Sequence, residues 1–391
     1  MSQLKTNAIR HTTATSDAIT LASDGTATAK ITNNLSNRNL IINGAMQVNQ
    51  YGTSSTTASS RVCDRFRVGW GGTDEALTYS KHALTSSDTG PWEKGFKHSL
   101  HIQNGNQTSG AGTGDYASIN YRTEAQDIVN SGWVHTSTSS YLTFSFWVKS
   151  SVAQNFYVVI TNNDGTNYNY PVETGSLSAN TWTKVTKTIP GNSNLTIDND
   201  NGKGLEFDIQ LFRGTDTTGS ITLNQWAATD NNTRCPDMTS TWWTTNDATF
   251  EITGVQLEVG EVATDFEHRS YGDELARCQR YFWMVADGSL YTTKTIGVGF
   301  VFSSSSVKVA VMYPVTMRTE PALYQVTATD AYQVLQPGPT FDYPDEIASF
   351  AGRINMGEFE LNDDVSGLTA GQACMVRGNA AAMRLGLNAE L

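Results

Sequence analysis

Glu206 and Asp208 stand two apart in the stretch LEFDIQLF, a spacing that puts both carboxylates on one side of a β-strand. Two facing carboxylates are what glycoside hydrolysis requires over a sugar, one as the acid and one as the base or nucleophile. Neighbours on a wet strand face are ordinarily solvated charges. The sequence supplies neither a fixed partner nor a source of pKa shift for them, so catalysis is not expected there and no catalytic residue is assigned. His98 and His101 in KHSLHI form the second candidate pair. Three apart on a strand, they point to opposite faces and read as structural histidines rather than metal ligands. DNDNGKG at 198–204 sets Asp198 and Asp200 beside a glycine turn. A calcium loop would need another oxygen donor where Gly202 stands and a later glutamate at fixed spacing, so a polar turn is expected, with Asp198 and Asp200 as weak metal candidates only. No nucleophile elbow, phosphate loop, zinc-protease helix or dinucleotide fingerprint occurs, and no cofactor is expected.

Aromatic residues offer binding rather than catalysis. Trp242 and Trp243 are adjacent in the turn-rich segment RCPDMTSTWWTTND. On a strand such neighbours face opposite ways, so at most one is expected in the core, leaving the other to stack on a sugar or pack on a neighbouring subunit. The stretch 324–344 carries Pro337, Pro339 and Pro344 with Tyr332, Phe341 and Tyr343, and reads as a long, exposed connection. Aromatic faces bind sugars and peptide edges without charge, so Tyr332, Phe341 and Tyr343 are the first ligand contacts expected, ahead of Trp242 and Trp243.

These residues must be positioned by β-structure. From 61 to 258 the chain alternates strands with Gly/Asn/Asp/Ser-rich connections. Leu142, Phe144, Phe146 and Val148 line one strand face, and Leu205, Phe207, Ile209 and Leu211 line another, as two packed antiparallel sheets require. In FEITGVQLEV the apolar phase slips at Gly254, which predicts a β-bulge with glycine supplying the unusual dihedral. A short helix follows, spanning Ser270 to Trp283. Ser270 caps it with Asp273 three residues on, and Leu275, Cys278 and Phe282 share one face. That stripe is too narrow for a lone helix, so it is expected to pack around a symmetry axis or onto the flanking domains. From Leu290 onward a second β region has Val307, Val309, Val311, Met383, Leu385 and Leu387 as inward positions. The stretch 4–31, from Leu4 to Ile31, has only Ile19 and Leu21 in alternation and an Asp24-Gly25 turn, too little bulk for a core of its own.

Charged residues make up 16% of the 391 residues, well below the roughly 25% of an average globular protein. The Thr, Ser and Asn that replace them suit strand surfaces and turns. A net charge of -12 with no Lys/Arg cluster excludes nucleic acid as an expected partner and disfavours an anionic membrane surface. No apolar run approaches the roughly 18 residues of a membrane span, and the first residues have no signal-peptide core. Synthesis and folding in a cytoplasm are expected, with Cys63, Cys235, Cys278 and Cys374 as free thiols.

Four motifs in order, NLIINGAMQVNQYGTSS at 39–55, GVQLEVGEVATDFEHRSYGDELARCQRYF at 254–282, YPVTMRTEPAL at 313–323 and LTAGQACMVRGNAAAMRLGLNAEL at 368–391, resemble tailed-phage tail fibre and receptor-binding proteins. The resemblance implies a carbohydrate-binding-module-like jelly roll in a trimeric virion protein without catalytic residues in this region. Together with the pattern of the chain it gives an all-β fold in four segments. These are an attachment arm at 1–38 that docks on a tail adaptor or nozzle protein, an antiparallel jelly-roll sandwich at 39–268, a helical neck at 269–284, and a smaller C-terminal β domain at 285–391. The expected function is attachment to a host cell-surface glycan or protein, as a non-enzymatic homotrimer in the virion tail; the alternatives are a polysaccharide depolymerase with a site between subunits and a virion decoration protein without host contact.

Overall fold

The computed structural model describes all residues except 1–5, 11, 14, 16, 24, 26, 30–36, 290–293, 339–340 and 363–364. The expectations placed on Leu4, Asp24, Ile31, Leu290 and Pro339 therefore lie outside the described residues. The fold is all-β. Near the N-terminus, Ala8–Ile9, Ile19–Leu21 and Ala27–Ala29 form a small antiparallel sheet, and Ile9 and Leu21 are exposed on it.

The jelly roll is two antiparallel sheets packed face to face. One has six strands in the spatial order Thr183–Pro190, Tyr141–Ser150, Thr249–Val259, His98–Gln103, Thr78–Ala83 and Ser54–Ser55. The other has seven, in the order Ala227–Ala228, Tyr168–Ser176, Asn155–Asn162, Lys203–Arg213, Tyr116–Glu124, Arg67–Gly71 and Ser60–Arg61. The alternating apolar positions meet between them. Leu142, Phe144, Phe146 and Val148 are buried, as are Leu205, Phe207, Ile209 and Leu211, with the Phe144 and Phe207 rings stacked 4.8 Å apart. Burying each such side chain is worth about 1.5–3 kcal/mol.

The bulge falls where the pattern places it. Ser145 pairs with Gln256 but Trp147 pairs with Thr253, so one extra residue sits on the later strand, and Gly254 takes φ +62°. Past the bulge the strand loses its neighbour His98–Gln103, which pairs only with residues 249–252. The first motif fills that edge: Leu40 N donates to Leu257 O, Val255 N to Gly44 O, and Leu257 N to Asn39 Oδ1. Asn43 closes the turn with its amide on Val48 O and Asp64 O.

The helix runs from Tyr271 to Gln279 with Ser270 as its N-cap, Oγ accepting from Asp273 N at 3.2 Å. It is shorter than expected. Phe282 and Trp283 open a strand, Phe282–Asp287, because the aromatic and β-branched run YFWMV favours extended backbone once the helix ends. Leu275 and Cys278 pack on Ile42, Val48 and Tyr281 of the same chain, whereas Phe282 leaves that face and stacks on Tyr51 at 3.8 Å. All four cysteines are buried free thiols.

The C-terminal domain pairs a three-stranded sheet, in the order Phe282–Asp287, Arg384–Asn388, Ala322–Val326, with a seven-stranded sheet. Val307, Val309, Val311, Met383, Leu385 and Leu387 are buried between them. The outer face of the larger sheet is also apolar. Val298, Phe300, Phe302 and Met312 are 46–68% exposed, and the register sets Val298 beside Ala310 and Met375, and Met312 beside Met356.

This domain makes direct side-chain contacts with the jelly roll. Arg65, buried in the jelly roll, ion-pairs with Glu390 and lies 3.4 Å from the Tyr281 ring centroid. Arg61 reaches the same carboxylate at 3.4 Å. Arg280 holds Glu124 through two bonds of 2.7 and 2.8 Å, with Tyr281 Oη donating to Glu124 Oε1 at 2.5 Å. Gln50 bridges the domains, donating to Phe282 O and to Asp64, each at 2.6 Å. Burial pushes the Asp64 carboxyl up to about 7 against the hydrogen bonds from Gln50.

Candidate functional site

The outward face of the seven-stranded jelly-roll sheet is a grid set by register. Asn169, Thr161, Glu206 and Arg122 form one row across four strands; Pro171, Val159, Asp208 and Asn120 form the next; Glu173, Tyr157, Gln210 and Ser118 form a third. Alternation sends Leu205, Phe207 and Ile209 inward, so their neighbours Glu206, Asp208 and Gln210 must point out. Beyond the Tyr168–Ser176 strand, a loop returns over the sheet with Thr229, Asn231 and Arg234. These three line a cleft of about 160 Å³ together with Val159, Thr161, Asn169, Glu206, Asp208 and Gln210 of the grid.

Its walls are held by hydrogen bonds among the side chains themselves. Glu206 accepts from Asn120 Nδ2 at 2.6 Å and from Arg122 Nε at 3.0 Å. Asn169 Oδ1 accepts from both Thr161 and Thr229 hydroxyls at 2.9 Å. Asp208 Oδ2 accepts from Gln210 Nε2 at 2.6 Å, and Arg213 approaches to 3.5 Å. Burial raises the Asp208 carboxyl pKa, although Arg213 and Ser118 pull it down. Asp208 Oδ1 and Arg234 Nε are shut off from solvent and make no hydrogen bond among the described residues. The expectation of two merely solvated charges is thus corrected: Glu206 is pinned by Arg122, and Asp208 is mostly covered, its side chain 19% exposed, because the return of 229–234 over the sheet could not be read from one strand. Planar amides and carboxylates in fixed rows, with spare donors and acceptors, suit a ligand covered in hydroxyl groups.

Other candidates divide. Trp242 and Trp243 are both fully buried, which removes them as surface contacts. They lie on a four-residue helix, Thr241–Thr244, where adjacent side chains diverge by about 100° rather than 180°, so both enter the core. Trp243 stacks on Phe212 at 5.0 Å and donates Nε1 to Gly110 O. Tyr332 is also fully buried, in the strand Tyr332–Leu335 that pairs with Ala373–Gly378, so this part of the proline-aromatic stretch is sheet rather than loop. Phe341 and Tyr343 remain exposed, at 48% and 39%. Asp198 and Asp200 lie in an exposed turn, where Asp200 Oδ1 accepts from Gly202 N at 2.8 Å, and the described residues contain no cluster of three metal-ligating side chains. His98 and His101 fall on opposite faces, with His101 3.6 Å from Glu251. The sequence reading missed Asn169, Gln210 and Arg234; their only signal was outward phase on strands or turns.

No protein-family model matches this chain, and no curated protein sequence matches it. Among solved structures it is similar to the enzymatically active domain of bacteriophage CBA120 tailspike protein 4, with 12% identity, 57% of this chain and 21% of that chain covered, and a TM-score of 0.30. A putative sugar binding protein from Bacteroides thetaiotaomicron aligns with 12% identity over 57% of this chain and 100% of its own, TM-score 0.29. The tandem CBM22-1-CBM22-2 domain of Paenibacillus barcinonensis Xyn10C aligns with 10% identity over 86% and 95%, TM-score 0.25. The chain spans about a fifth of the tailspike structure. Superpositions this loose carry no inference about function, which rests on the geometry of the cleft.

Proposed function

We propose that this chain is a non-catalytic attachment protein of a tailed-phage virion that holds a host-surface glycan in the cleft over Glu206, Asp208 and Gln210. The observation that carries the glycan reading is the grid of amide and carboxylate side chains with unsatisfied polar atoms at Asp208 and Arg234. A mostly covered Asp208 keeps a protonated, donating form to higher pH than an ordinary aspartate, which widens its hydrogen-bonding repertoire towards hydroxyls. The N-terminal arm docks on a tail adaptor or nozzle protein, and Phe341 and Tyr343 offer a second host-facing surface. On an array of bacterial surface polysaccharides, the protein is expected to retain particular glycans. Asp208→Asn with Gln210→Ala should weaken that binding about tenfold or more, two hydrogen bonds at about 1 kcal/mol each, compared on protein that a melting curve shows to be folded, since both side chains also hold Arg213. Undiminished binding by this variant would move the contact elsewhere.

A second reading, a polysaccharide depolymerase, is favoured by one observation: a carboxyl of raised pKa, Asp208, stands two residues from a carboxylate held by Arg122. Reducing ends released by the wild type and abolished in Asp208→Asn, with binding retained, would establish it over the first.

Copies associate in this reading through the apolar outer face of the C-terminal sheet, since exposed patches of that extent mark interaction surfaces. Light scattering should give three times the 42.6 kDa chain mass, and Phe300→Ser with Phe302→Ser should reduce it to the single-chain mass. A clean monomer of the wild type at micromolar concentration would refute the trimer.

A further inference from the structure

On the opposite side of the jelly roll, the outward face of the six-stranded sheet bears a cavity of about 280 Å³. Its floor is Trp147, paired in register with Thr253 on one side and Lys184 on the other. Its wall is Phe96, Phe266 and His268, mutually packed with centroids 4.8 to 5.1 Å apart. His268 is fixed by Nε2 against Lys94 O at 2.8 Å.

The bulge is what brings floor and wall together. A Cβ at Gly254 would come within 2.7 Å of Phe96 Cζ and 3.1 Å of Trp147 Cδ1, so the rings settle over bare backbone that only glycine provides, and its φ of +62° independently favours glycine.

Polar groups in this cavity are left open. The indole N–H groups of Trp133, Trp182, Trp226 and Trp243 each donate to a protein oxygen. Trp147 Nε1, Ser145 Oγ and Lys184 Nζ, all at the cavity, have no partner among the described residues. Of the acids at the rim, Glu93 accepts from Gly90 N, and Asp265 points to solvent with its side chain 94% exposed, 3.8 Å from Lys94. An aromatic floor with three free donors, one of them cationic, fits a ring with an apolar face and an anionic edge.

We propose that this cavity is a second, separate binding site for a single acidic pyranose of the uronate class, its ring face on Trp147 and its carboxylate towards Lys184. The site does not depend on the cleft of the opposite sheet. Saturation-transfer NMR on the full chain, with methyl glucuronide and methyl galacturonide against the neutral methyl glucoside and galactoside, tests it. The uronides should bind in preference. Trp147→Ala should weaken them about tenfold through loss of stacking. Lys184→Ala, at an exposed position that leaves the core intact, should do so about as much by removing a charge-assisted bond. Asp208→Asn with Gln210→Ala should leave uronide binding unchanged, which separates failure of this site from failure of the cleft. No transfer from either class, equal binding of neutral and acidic sugars, or uronide binding indifferent to Lys184→Ala would overturn the assignment.

Discussion

Trp243→Ala is expected to cost the jelly roll about 3–5 kcal/mol, the range for removing a large aromatic from a close-packed core. The side chain has no solvent exposure, it stacks on Phe212 at 5.0 Å with an interplanar angle of 27°, and its indole N–H serves Gly110 O at 2.9 Å. Truncation leaves a cavity and an unpaired carbonyl together, and Trp242 beside it keeps the short helix from collapsing inward. Tyr343→Ser is the comparison. Its ring is 39% exposed and its hydroxyl accepts one bond from Gln333 at 2.8 Å, so its loss should cost only about 1 kcal/mol. Denaturant unfolding of the two variants decides the matter. A Trp243→Ala variant as stable as Tyr343→Ser would return the tryptophan to the surface as a ligand contact.

Glu390→Gln should produce the second large effect, about 3–5 kcal/mol, because it leaves buried arginines without their counter-charge. The side chains of Arg65 and Glu390 are only 2% and 5% exposed, and Arg61 depends on the same carboxylate. Arg65 cannot recover by neutralising, since a guanidinium keeps its proton. The loss falls on the contact between the domains rather than on either core, so urea unfolding should resolve into two transitions in the variant, with the C-terminal domain released first. One unshifted transition in Glu390→Gln would show that this ion pair contributes nothing net to docking.

Much of the sheet structure was legible because burial on one face writes a period of two into the sequence. Leu142 to Val148 and Leu205 to Leu211 are such runs, and the phase slip at Gly254 marked the bulge for the same reason. The Ser270 cap was legible because its partner is three residues away. Trp242 and Trp243 were not, since a four-residue helix is too short for its period to separate it from a strand. Tyr332 was misread because prolines around it suggest a connection, while the strand that claims it, Ala373–Gly378, lies some forty residues on. The candidate site was half legible. Glu206 and Asp208 could be placed on one outward face, but the amides and the arginine that surround them arrive through long-range register and a returning loop. The docking of the two domains was invisible for the same reason, Arg65 and Glu390 being 325 positions apart.

The first and last strands of the C-terminal domain lie side by side, Phe282 opposite Asn388 and Asp287 opposite Arg384. Under mechanical load this geometry matters more than the number of hydrogen bonds. Tension between the jelly roll and the segment after Asn388 would pull on adjacent ends of one antiparallel pair, so the rungs would open in succession like a zipper instead of shearing all together. The Glu390 ion pairs with Arg65 and Arg61 sit ahead of the first rung. With the bonds from Arg318 to Ala389 O and Glu390 O and from Ala389 N to Tyr281 O, they form a catch that must slip before the zipper can start.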